Sequence, residues 1–170
     1  MSTAVRVPLA EYLSTEYEPD CEYIDGVLEE RNVGKKKHSQ TQTRLSRWLG
    51  LRESQHGFEV LVEQRVRISA SRFRIPDICL VRRDETEEAI QSPPVLWVEI
   101  LSPEDRWSRM QAKVADVLRF GIGTIWIVDP YTHQAWIVTA ATGAVEVDDG
   151  LLRCANPALE VSLNEVLPQD

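Results

Sequence analysis

The stretch Val95-Leu96-Trp97-Val98-Glu99-Ile100-Leu101 is almost wholly apolar, and it constrains the fold more than any other feature of the chain. A strand apolar on both faces belongs in the middle of a sheet covered on both sides. The residues C-terminal to it narrow the choice further. From about Glu104 to Phe120 a helical period puts Trp107, Met110, Val114, Val117 and Leu118 on one inward stripe; Gly121 and Gly123 stop it, and Thr124 to Val128 is a second buried strand. Strand, helix and strand with short joints predict a right-handed parallel crossover.

The other elements attach to this unit. Pro8 to Thr15 predicts a short helix, and Glu22 to Glu29 a hairpin around Asp25-Gly26, a pair that tolerates the positive φ of a tight turn. From about Lys37 to His56 a second helical period places His38, Thr41, Leu45, Trp48 and Leu49 on one face, and Gly57 ends it. Phe58 to Ile68 and Ile75 to Val81 read as strands before the apolar one, and Trp136 to Val138 with Val145 and Val147 as a last antiparallel pair. The predicted class is α/β: a mixed central sheet flanked by helices, its core ordered helix, three strands, helix, strand, with an N-terminal hairpin and C-terminal strands. At 170 residues, 43% apolar and without repeats or linkers, the chain reads as one domain over 1–170. Its apolar runs fall far short of the ~20 residues of a membrane span. Cys21, Cys79 and Cys154 form no C-x-x-C pair, which argues against a zinc knuckle or disulfide framework and predicts a reducing cytoplasm.

Two acids stand where apolar residues are expected. Asp77 follows a proline in Ile-Pro-Asp-Ile-Cys-Leu-Val, and Glu99 interrupts the most apolar strand. A buried carboxylate is costly unless it is paired or holds a metal. One carboxylate from each of two adjacent strands, on the same face, makes a hard-oxygen site suited to magnesium or manganese. Lys113 lies at the border of the inward stripe of its helix, so its methylenes can follow the sheet and carry the ammonium to the carboxylates. Such a metal would polarise a phosphodiester, with Lys113 orienting water or stabilising the developing charge.

The net charge of −8 argues at first against a nucleic-acid partner, but it is unevenly spread. Eleven basic residues between Arg31 and Arg74 face only Glu53, Glu59 and Glu63, so that segment carries +8 and the remainder −16. Basic residues from Lys35 to Arg52, with Arg72 and Arg74, could guide a phosphate backbone.

Pro76-Asp77, and Glu99 within Val-Glu-Ile-Leu-Ser-Pro (98–103), resemble the PD-(D/E)XK nuclease superfamily. With Glu-Tyr-Ile-Asp-Gly (22–26), His38, Lys113 and Gly-Ile-Gly-Thr-Ile-Trp-Ile-Val-Asp-Pro (121–130), the chain more narrowly resembles the Uma-two family of restriction-endonuclease-like proteins, over about residues 8 to 168. The resemblance implies a restriction-endonuclease-like core and a metal-dependent endonuclease acting on DNA. It implies Mg2+ or Mn2+ on Asp77 and Glu99, with the Ile100 carbonyl as a further ligand and Lys113 as the cationic group. A homodimer is expected, since many enzymes that cut duplex DNA pair their sites. The superfamily's usual lysine position holds Leu101, and the Uma-two lysine corresponds to Lys113. Glu22, Glu63 or His38 could complete the site. His38 fits a hydrogen-bonded core residue as well as an active-site one, Glu22 a hairpin residue as well as a catalytic one, and Glu63 a peripheral position. The alternative reading is a catalytically inactive module of the same fold that binds nucleic acid or a partner protein.

Overall fold

Every residue of the apolar strand from Leu96 to Ile100 is buried, as its composition requires. A computed structural model describes residues 6–32 and 34–169. Its elements in chain order are α1 (Leu9–Ser14), β1 (Cys21–Ile24), β2 (Val27–Glu30), α2 (Lys36–Gly50), α3 (Glu53–His56), β3 (Phe58–Val62), β4 (Val66–Ser69), β5 (Arg72–Arg74) and β6 (Ile78–Arg82). Then come β7 (Leu96–Ile100), α4 (Trp107–Phe120), β8 (Ile125–Asp129), β9 (Gln134–Thr139), β10 (Gly143–Glu146), β11 (Leu151–Cys154), β12 (Leu159–Ser162) and α5 (Leu163–Val166).

Six strands form the central sheet in the order β10-β9-β8-β7-β6-β3. β7 runs parallel to β8 and antiparallel to β6, so α4 is the crossover that the sequence predicts. Alternation divides the core. Ile78, Leu80, Leu96, Val98 and Ile100 pack with Leu45 and Leu49 of α2, the β11–β12 hairpin and α5. Cys79, Val81, Trp97, Ile125 and Ile127 face the other way, onto Met110 and Val117 of α4. Among the described residues, no helix is long and apolar enough to cross a membrane.

Three expectations need correction. The strand over 58–68 is two strands: Glu63 takes a left-handed φ of 54°, which breaks the ladder and sends β4 into a second sheet, β2-β1-β5-β4. The helix over 37–56 is likewise interrupted between α2 and α3, although Gly57 ends α3 as expected, at a positive φ of 72°. Trp107 is not core. It opens α4, leaves 51% of its surface exposed, and rests its ring on Trp136 at 6.3 Å. The Asp25-Gly26 hairpin forms as expected, both residues at positive φ.

Candidate active site

β6 and β7 pair with Ile78 opposite Val98, so one step further along the register puts Asp77 opposite Glu99. Pro76 has no N–H to extend the ladder, and the two carboxylates stand where the pairing stops, on the α4 side of the sheet. One pocket gathers Glu22, His38, Asp77, Glu99, Ile100 and Lys113, with Arg31, Arg106 and Arg109 also lining it.

Each group is held by named partners. Asp77 Oδ1 accepts from Arg31 Nη2 at 2.8 Å and lies 3.3 Å from His38 Nε2, while Oδ2 accepts the Ile100 N–H at 2.6 Å. Glu99 Oε1 takes both the Trp97 indole N–H at 2.6 Å and Lys113 Nζ at 2.7 Å. Lys113 reaches the sheet from α4 and uses its three protons on Glu99, on Glu22 Oε1 at 2.8 Å and on the Ile75 carbonyl at 2.8 Å. Glu22 also accepts the Ile75 N–H at 2.9 Å and bonds Arg74 at 2.7 Å. Glu22 and His38 are therefore both in the pocket. Glu63 stays at the rim, its side chain half exposed and 3.8 Å from Arg31.

The carboxyls differ sharply in their proton affinity. Burial pushes Glu99 up to about 7, helped by Asp77 and Glu22 against the pull of Lys113. Burial acts on Glu22 in the same sense, but Lys113, Arg74 and the Ile75 N–H outweigh it and hold that carboxyl at about 2. Asp77 stays below the usual carboxylate range despite burial because His38 and Arg31 donate to it, and His38 is raised in return. Burial disfavours charge on Lys113, yet Glu22 and Glu99 hold its pKa above the ordinary lysine value.

Asp77 and Glu99 are hard oxygen donors, the kind a divalent cation takes. Asp77 and Glu99 face one another, and among the described residues no hydrogen bond ends on Glu99 Oε2. Burial is the main cause of the high pKa of Glu99, and a cation bound beside it would favour the ionised carboxylate. Among the described residues no group of three or more His, Cys, Asp or Glu is arranged to hold a metal. Lys113 bridges Glu22 to Glu99, and Arg31 occupies Asp77.

Arg72 and Arg74 do not serve as the expected phosphate guides. Arg74 is buried and bonds Glu22, Glu29 and Asp116, and Arg72 bonds Asp25 and Asp116. A buried guanidinium needs carboxylate partners, so part of the basic segment is neutralised inside the fold. Sequence reasoning missed Asp116, Trp97 and the role of Arg31; their partners are remote in the chain or, for Trp97, visible only as the same-face neighbour of Glu99. Arg106 and Arg109 were open to notice at the start of the Lys113 helix.

The sequence profile of the Uma2 (Uma-two) family, described as "Putative restriction endonuclease", matches residues 9–168. The chain belongs to the Uma2 family. A crystal structure from Anabaena variabilis ATCC 29413, described as a putative nuclease belonging to DUF820, superposes with a TM-score of 0.83 at 20% identity, covering 94% of this chain and 97% of that one. That likeness shows that the two chains share a fold, the mixed α/β architecture expected from the sequence. No curated protein matches the sequence significantly. Uma2 membership supports a nuclease-type function, with nucleic acid as substrate.

Proposed function

We propose that this Uma2 protein is a magnesium- or manganese-dependent endonuclease that hydrolyses DNA phosphodiester bonds in the pocket where β6 and β7 part. The observation that carries the reading is the meeting of three largely buried side chains, Asp77 at the mouth of β6, Glu99 of β7 and Lys113 of α4, in one pocket. Asp77 and Glu99 would hold the cation, with the Ile100 carbonyl as a further ligand. Bound there, it supplies Lewis-acid polarisation of the phosphoryl group and acidifies the attacking water.

The chain's own residues do the rest. Lys113, fixed by three acceptors and kept charged by Glu22 and Glu99, stabilises negative charge growing on the phosphate oxygens. Glu22 positions that ammonium, and His38 orients Asp77. Arg106, whose side chain has no hydrogen-bond or ion-pair partner among the described residues, binds a flanking phosphate; Arg109 lines the same pocket but is engaged by Glu29 and the Glu30 carbonyl. Cutting both strands of a duplex calls for two such pockets, so we include a homodimer in the proposal; sedimentation at micromolar concentration should give twice the 19.4 kDa chain mass.

The test is nicking of supercoiled plasmid and of circular single-stranded DNA with Mg2+ or Mn2+, by wild type, Asp77→Asn and Glu99→Gln. Cleavage should need the cation and fall by roughly 100-fold or more in each near-isosteric variant, the scale on which removing an electrostatic catalytic group acts. Activity surviving both substitutions refutes this site. Wild-type protein that binds DNA but never cuts it supports the non-catalytic module instead.

A further inference from the structure

Arg31 lies outside the helices and strands, between β2 and α2, yet its side chain is only 16% exposed because it reaches into the pocket to Asp77. Asp77 thus has both oxygens engaged: Oδ1 by Arg31 and His38, Oδ2 by the Ile100 N–H. A divalent ion on this carboxylate would meet the Arg31 guanidinium, whose charge is permanent, at 2.8 Å, so an ion can take Asp77 only if Arg31 moves. It has a direction in which to go, since Nη1 already lies 3.8 Å from Glu63 on the half-exposed rim.

Resting on the nuclease reading above, we propose that Arg31 is an exchangeable counter-ion. It neutralises Asp77 in the metal-free protein, leaves when a divalent cation takes that carboxylate, and in its displaced position binds a phosphate of the DNA. The guanidinium fork matches phosphate oxygens, and Arg31 lines the same pocket as Arg106 and Arg109. The exchange leaves Asp77 with a cationic partner in both states. It also makes Arg31 a substrate-binding residue only in the loaded enzyme, so metal and DNA each strengthen the binding of the other.

The test is the opposite response of two quantities in Arg31→Met. Calorimetric affinity for Mn2+ should rise roughly tenfold, because a resident competitor is gone, while kcat/KM for plasmid nicking falls roughly tenfold or more with the lost phosphate contact. A merely structural arginine would lower both. In wild-type protein, the Arg31 Nε–Hε NMR resonance should move on adding Mg2+ and stay fixed in Glu99→Gln. Mn2+ binding no tighter in Arg31→Met, or an Arg31 resonance unmoved while Mg2+ binds, overturns the exchange. If that happens while Glu99→Gln still abolishes Mn2+ binding, the nuclease reading survives. If neither wild type nor Arg31→Met binds Mn2+, the metal site and the exchange fall together.

Discussion

Glu99→Gln should flatten the dependence of folding stability on pH. The Glu99 carboxyl titrates at about 7 in the fold against an ordinary value of 4.5, so the folded protein holds this proton more tightly than the unfolded chain does. Below about pH 4.5 both states carry the proton and the group does not oppose folding. As the pH rises the unfolded chain releases it first, and stability falls until the folded carboxyl also ionises near 7. At about 1.4 kcal/mol per pH unit of difference, the full loss is about 3 kcal/mol, of which about 2 kcal/mol falls between pH 5.5 and 8.5. Glutamine keeps an oxygen for the Trp97 and Lys113 donors and removes the charge. Glu22, held at about 2, titrates outside this window. His38 is raised, so its contribution is also lost as pH rises through its folded pKa, but it is common to both proteins. Urea unfolding in EDTA at pH 5.5 and 8.5 should therefore show wild type losing about 2 kcal/mol more than Glu99→Gln. Equal losses in the two proteins would refute the account of this carboxyl.

Lys113→Met leaves Glu22 and Glu99 without their shared cation and should cost about 3–5 kcal/mol by urea unfolding at pH 8, less at pH 5.5 where Glu99 can protonate. Gly34→Ala would put a Cβ 2.7 Å from His38 Nδ1, so the ring should swing away from Asp77 and its pKa should drop towards 6.5 in an NMR titration. An unchanged His38 titration would show that the ring can yield without losing Asp77.

Two acids broke the local rules of their strands, and that made the centre of this pocket legible in the sequence. Glu99 in an otherwise apolar strand and Asp77 after a proline each needed a reason to be buried, and strand alternation put both on one face. The β7–α4–β8 crossover was equally readable, because apolar runs and glycine stops mark it without tertiary help. Partnerships across long stretches of chain were not. Arg31 meets Asp77 across 46 residues and Arg74 meets Asp116 across 42, and no periodicity encodes such pairs. The basic segment therefore read as a surface for phosphate, while part of it closes ion pairs within the fold. The break at Glu63 also escaped, since an acidic side chain gives little warning of a left-handed backbone in mid-strand.

The assignment of the pocket is tested most directly by a crystal soaked in manganese and measured for anomalous scattering. The expected result is a peak within about 2.1–2.4 Å of a carboxylate oxygen from each of Asp77 and Glu99, with the Arg31 guanidinium withdrawn from Asp77. A peak bound elsewhere, or none at millimolar Mn2+ with Arg31 still on Asp77, would contradict the metal site on which the proposed nuclease depends.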